Sequence, residues 1–226
     1  MHNLKRIAGW MAPLVWALLT CSVSSGANLP IAVAPVVVKM NVVTTTGAVE
    51  VTNAGTETSG LEAEVVRVTW VNGVEQYEAT DQFIVTPPAF RLQGEKSRLI
   101  RFKFTGLRRD EEQFYRLFVR QLPQAEVAQQ IGILFNVGVP IFIEPTTVRP
   151  ALKLVHSDAA QTQSMLYNTG NVTLTVFQVE GKTCSTDSHK WVARISPLQK
   201  ARLPTAAAQC ATTALTDRGV VAITAP

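Results

Sequence analysis

The stretch Ile131-Gly132-Ile133-Leu134-Phe135-Asn136-Val137-Gly138-Val139-Pro140-Ile141-Phe142-Ile143 decides how this chain folds. Its odd positions, 131 to 143, are all apolar, whereas the even ones hold Gly, Leu, Asn, Gly, Pro and Phe. Side chains alternate between faces along a strand, so this pattern predicts a strand with one wholly apolar face. Pro140 has no N–H to give a ladder, and proline in sheets is confined mainly to edges and bulges. A long apolar edge strand is an aggregation hazard unless something pairs with it. Two uses of the odd face stay open at this point: it fills the domain's own core, or it is offered to a partner.

Upstream, period-two alternation recurs over 32–40, 47–52, 61–70, 83–86, 98–104 and 113–122. Turn signals separate these runs, among them Asn53-Ala54-Gly55, Asn72-Gly73, Pro87-Pro88 and Gln93-Gly94. With 131–143 the series predicts an immunoglobulin-like sandwich. Glu144-Pro145-Thr146-Thr147-Val148-Arg149-Pro150 then breaks the pattern with two prolines and reads as a stiff linker. A second series follows at 152–156, 164–168, 174–179, 191–195, 200–203 and 220–224, enough for a smaller sandwich. The expected organisation is therefore all-β: a leader over 1–27, a first domain over 28–145, a linker over 146–150 and a second domain over 151–226.

Composition narrows the function classes. A chain of 226 residues that is 46% hydrophobic and 17% charged is not a disordered tail. Lys5 and Arg6 precede an apolar run from Ile7 to Cys21 and the small residues Ser25-Gly26-Ala27, the pattern of a secretory signal peptide. The run falls short of the roughly 20 residues a membrane span needs, so no stable membrane insertion is expected. Of the +4 net charge, two units belong to that leader, and no dense basic run marks a nucleic-acid footprint. Past the leader two cysteines remain, Cys184 and Cys210, and an exported chain most simply joins them in a disulfide. They form no C-x-x-C pair and have no histidine cluster near them, so no metal or other cofactor is expected. Hydrolase, metalloprotease and nucleotide-binding motifs are missing from the sequence, and His156-Ser157-Asp158 is contiguous, unlike a catalytic triad.

A family resemblance rests on several segments together. Thr86-Pro87-Pro88-Ala89-Phe90-Arg91-Leu92, Arg98-Leu99-Ile100-Arg101, Asp110-Glu111-Glu112-Gln113-Phe114-Tyr115-Arg116-Leu117, Leu122-Pro123 and Ile141-Phe142-Ile143-Glu144-Pro145 follow in order and spacing. The sequence over about 31–145 thereby resembles the first domain of periplasmic pilus-assembly chaperones, the PapD-like family. The second domain resembles that family only in size and in its late disulfide. The resemblance implies two immunoglobulin-like domains in an L shape, no enzymatic activity, and pilus subunits and an outer-membrane usher as partners. It also implies donor-strand complementation, in which the chaperone lends an edge strand to an incomplete subunit sandwich. Matched to the family, the lent positions are Ile131, Ile133, Phe135 and Val137.

The chain departs from the family where a subunit's terminal carboxylate is held. At the positions of the usual basic pair it has a valine, near Val37, and Pro140. Arg101, Arg91 and Lys39 are the candidate replacements, Arg101 first because a guanidinium grips a carboxylate bidentately. The family's interdomain salt bridge is altered as well: Glu112 matches its acid, but Glu144 stands where an arginine is usual. These departures resemble the divergent archaic branch of the family. The competing readings are a pilus subunit or an exported immunoglobulin-like adhesion module.

The leader yields a direct expectation. N-terminal sequencing of the exported protein should begin near Asn28, with no lipid on Cys21; a protein that still starts at Met1 would contradict it.

Overall fold

The computed structural model describes residues 31–72, 74–123, 134–156, 163–181, 190–208 and 210–225. The leader, Ile131, Ile133 and Cys184 lie outside the described residues. What is described is all-β but for a four-residue helix, α1 (Thr205–Ala208).

Two cores organise the chain. The first is drawn from residues between Ile31 and Ile143 and the second from residues between Leu152 and Val221. Ten strands surround the first: β1 (Ile31–Ala34), β2 (Val38–Met40), β3 (Thr46–Asn53), β4 (Ser59–Val71), β5 (Val74–Ala79), β6 (Phe83–Thr86), β7 (Ala89–Leu92), β8 (Ser97–Phe104), β9 (Gln113–Gln121) and β10 (Asn136–Ile143). One sheet has the order β1-β3-β8-β6, and the facing sheet has the order β2-β10-β9-β4-β5, with β7 also on β4. Seven strands surround the second core: β11 (Leu152–His156), β12 (Ser164–Asn168), β13 (Leu174–Glu180), β14 (Lys190–Ile195), β15 (Lys200–Arg202), β16 (Thr213–Thr216) and β17 (Gly219–Thr224). They are ordered β14-β13-β16-β17-β11-β12-β15.

Several expectations need correction. The run 32–40 is two strands in different sheets, because the segment around Pro35 interrupts it. Proline has no N–H for a ladder, so the chain leaves β3 there and re-enters as β2 beside β10. Strand β5 is an additional strand: its residues are almost all exposed, so it lacks the apolar-polar alternation that marks a half-buried strand. Short strands β7 and β16 are likewise additional.

Strand β10 shows why its apolar face had two readings. Val139, Ile141 and Ile143 are buried in the first core, whereas Phe135 and Val137 are only half-buried and lie outside that cluster. The odd face therefore enters the first core only from Val139 onward, at the strand's C-terminal end.

Replacing Ile141, which is fully buried, with Ala should cost about 3 kcal/mol in urea unfolding, since the cavity adds to the lost transfer energy. Val137→Ala should cost under about 1 kcal/mol. Equal losses at the two positions would mean that the whole face is core.

Candidate functional site

The main chain of β10 pairs antiparallel with β9 along its full length, and the ladder extends to Phe135, whose C=O accepts from the Gln121 N–H at 2.8 Å. On the other side β2 covers only Ile141 to Ile143, in parallel register. Alternation fixes which groups face which side. The odd carbonyl of Phe135 points to β9, while the even Glu144 N–H donates toward β2, to the Met40 C=O at 2.8 Å. Between residues 136 and 140 the edge away from β9 thus offers the N–H and C=O of Asn136 and Gly138 and the C=O of Pro140. No described strand pairs with that edge. Pro140 sits where its missing N–H costs the fold nothing.

The outer face of this sheet is aromatic and cationic. Trp70 on β4 meets Phe114 on β9 edge to face at 4.8 Å, and Phe114 meets Phe142 on β10 at 5.5 Å. Arg116 holds Glu75 through both terminal nitrogens, at 2.8 and 3.1 Å, and its guanidinium lies over the Tyr77 ring. The Tyr77 hydroxyl donates to Glu75 at 2.7 Å, which pushes its pKa up. Gly138 makes room for this arrangement: a Cβ there would lie 2.8 Å from Arg116 Cδ and 3.0 Å from Phe118 Cε1.

Where β10 ends, the two cores meet. A cavity of about 200 Å³ is lined by Trp70, Phe114, Arg116, Pro140 and Phe142 from the first side and by Arg194 and Ser196 from the second. The Arg194 guanidinium is 4.3 Å from the Phe142 ring centroid. Beside it, Asn171 stitches the joint. Its Nδ2 donates to the carbonyls of Asp110 and Thr147 at 2.7 and 2.8 Å, and its Oδ1 accepts from the Arg149 N–H at 2.7 Å. Its carbonyl accepts from the Glu112 N–H at 2.9 Å.

The charged part of the joint shows how acids at both 112 and 144 are accommodated. Arg218, in the turn between β16 and β17, donates to Glu144 at 2.8 Å and lies 3.8 Å from Glu112. The cation between these two acids thus comes from the second side, and Glu144 is its closer partner. Glu112 has a side chain only 1% exposed and accepts the Thr173 N–H at 2.9 Å. Burial pushes its carboxyl above the ordinary range, with the Thr173 bond and Arg218 acting against the shift. Lys39 and Asp217 form a second bridge at 2.6 Å. For Asp217 burial acts upward, but the bonds from Lys39 and the Thr175 N–H outweigh it, and the net shift is downward.

The sequence-derived candidates fall in different places. Phe135 and Val137 flank the open edge. Lys39 lies at the joint and is already occupied by Asp217. Arg101 is outward-facing on β8, between the buried Ile100 and Phe102, but it belongs to the other sheet and lines a shallow concavity with Ala48, Ile84 and Thr86. Among the described residues, none of the second core lines that concavity. Arg91 lines a separate surface with Lys96 and Arg98. Arg194 and Arg218 were not singled out by the sequence; the only signal for Arg218 is its place in the charged turn Asp217-Arg218-Gly219 between apolar strands.

Comparison with known proteins places this geometry. Residues 30–149 match the family model described as "Pili and flagellar-assembly chaperone, PapD N-terminal domain". No curated protein sequence matches the chain. Among solved structures, the fold is similar to the CsuC–CsuE chaperone–tip adhesion subunit pre-assembly complex from archaic chaperone-usher Csu pili of Acinetobacter baumannii. The TM-score is 0.56 at 17% identity, over 87% of this chain and 99% of that one. It is also similar to a chaperone–tip adhesin complex of CFA/I fimbriae biogenesis, with TM-score 0.61 and 16% identity over 86% and 98% of the two chains. A third likeness is to the Salmonella enterica SafA pilin in complex with the SafB chaperone, with TM-score 0.54 and 15% identity over 84% and 91%.

The joint has a pH signature. A carboxyl with a raised folded pKa gives stability that is full below the ordinary value and lost as pH rises through the raised one. Glu112 follows that rule, whereas the contribution of Asp217 is present above its ordinary value and lost as pH falls. Urea unfolding across pH should show Glu112→Gln gaining on the wild type as pH rises; parallel curves would refute the assignment. Arg218→Ala should lose about 3 kcal/mol at neutral pH, because it strips the cation from two enclosed carboxylates.

Proposed function

Because the chain belongs to the PapD-like pilus-assembly chaperones, we propose that it is a periplasmic chaperone that captures pilus subunits by donor-strand complementation and delivers them to an outer-membrane usher. The observation that carries this reading is the open edge of β10. There the main-chain groups of Asn136, Gly138 and Pro140, unpaired by any described strand, lie beside Phe135 and Val137, which point to the core face but fall outside the core.

A subunit lacking its last strand has unpaired strand edges and an open apolar groove. Lending β10 and the residues before it supplies the ladder, while Ile131, Ile133, Phe135 and Val137 fill the groove. Each fully buried side chain contributes roughly 1.5 to 3 kcal/mol before ordering costs. The burial of Val139, Ile141 and Ile143 in the chaperone's own core supports the same reading, since it anchors the strand that is lent. Delivery of the chain through its leader to the periplasm fits a Cys184–Cys210 bridge in the second domain, and Cys210 is disulfide-bonded. The family assists assembly and does no chemistry on its clients, so the proposal includes no catalytic step.

Phe135→Asp and Val137→Asp should each abolish capture of a pilus subunit in co-purification, because a carboxylate entering an apolar groove is strongly penalised. Their thermal melting should match the wild type, since both residues lie outside the core. Undiminished capture by these variants would refute the lent strand.

A further inference from the structure

The second sheet turns a face toward the cleft that the joint does not use up. On β14, Trp191, Ala193 and Ile195 pack on the second core, so Val192 and Arg194 stand on the outer side. On β13, Leu174, Val176 and Val179 point inward, and a register shift between Val176 and Gln178 leaves Phe177 outside. Leu215 of β16 and Val220 of β17 are directly opposite each other and face away from buried Ala214 and Val221. Four adjacent strands thus each contribute one outward apolar residue: Val192, Phe177, Leu215 and Val220, exposed by 72%, 44%, 40% and 68%. At the usual strand spacing the row is about 14 Å long. Contiguous apolar patches on an exported, soluble domain mark interaction sites.

The row is continuous with the cleft. One pleat nearer the first domain, the same face carries Arg194, paired in register with Thr175, whose N–H donates to Asp217 at 2.8 Å. Arg194 and Asp217 are the residues that touch Phe142 and Lys39 across the joint. Phe142 and Pro140 then lead directly onto the open edge of β10. Charge adds a second argument. Arg116, Arg120 and Arg218 each hold a carboxylate, whereas Arg194 stacks on Phe142 and has no acidic partner among the described residues. A guanidinium fixed by a ring and left without an anion is complementary to a carboxylate.

We infer that the outer face of β14-β13-β16-β17 is a second contact surface for the subunit held by β10, its apolar row covering an apolar patch of the subunit and Arg194 receiving a carboxylate beside that patch. The inference rests on the lent-strand reading above, and it makes the second domain a direct participant in client binding.

The test uses the full mature chain and a pilus subunit that it captures in co-purification, refolded together and measured by displacement of labelled chaperone. Leu215→Ser/Val220→Ser and Arg194→Gln are compared with the wild type and with Phe135→Asp. The expected result is loss of capture for Phe135→Asp and a drop of about tenfold in affinity for the face variants, with unchanged melting temperatures. Loss with Phe135→Asp but wild-type affinity for both face variants would overturn the second surface and keep the lent strand. Full binding by Phe135→Asp would overturn both. Face variants that abolish self-association in sedimentation, while leaving subunit affinity intact, would assign the row to a second copy of this chain and overturn the inference. A subunit with an amidated C-terminus separates the two sources of the carboxylate. If amidation removes the effect of Arg194→Gln the chain terminus supplies it, and if the effect persists a side chain does.

Discussion

The alternation of main-chain direction along β10 is the constraint from which the rest of the molecule follows. Odd residues send their side chains to the core face and their peptide groups to β9; even residues send their peptide groups to the far edge. A single strand can therefore be locked into its own domain through Val139, Ile141 and Ile143 and still leave an edge unpaired a few residues earlier. Short coverage by β2, three residues long, sets where protection stops. Had the chain around Pro35 continued as one strand on β3, nothing would flank β10 at its C-terminal end.

The joint between the cores is built from the hydrogen bonds of Asn171 and from the ion pairs of Arg218 and Lys39. Asn171 uses its side-chain amide and its main chain on the first domain and the linker, so the linker's path is fixed by hydrogen bonds as well as by its prolines. Arg218 between Glu112 and Glu144 is a part-buried ionic contact of the kind that adds little net stability over an apolar replacement but is costly to break. Its effect is geometric: it ties the β16–β17 turn to the first domain. That placement brings the Arg194 face toward the end of β10.

Much of this was legible in the sequence where one face is buried and the other wet. The odd apolar positions of 131–143, the edge meaning of Pro140 and the outward direction of Arg101 all follow from period two. Strand β5 was not legible, since Glu75, Gln76 and Glu78 give no apolar face and Tyr77 spends its ring on Phe118 and Arg116. Nor could alternation say which sheet Arg101 belongs to, because that depends on long-range pairing of β8 with β3 and β6. Glu112 was readable as an interdomain acid, yet its cation comes from a distant turn in the other domain, and no local pattern announces such a partner.

Gly138 ties distant parts of the first domain into one unit of sequence variation. Any side chain at 138 meets Arg116 and Phe118, Arg116 in turn holds Glu75, and Phe118 packs on Tyr77. A substitution at the glycine is therefore tolerated only with smaller or displaced neighbours on β9, and those changes loosen the β4–β5 hairpin. Positions 75, 77, 116, 118 and 138 should drift together among diverging copies of this gene, whereas Phe135 and Val137, free of that block, can change without disturbing the scaffold.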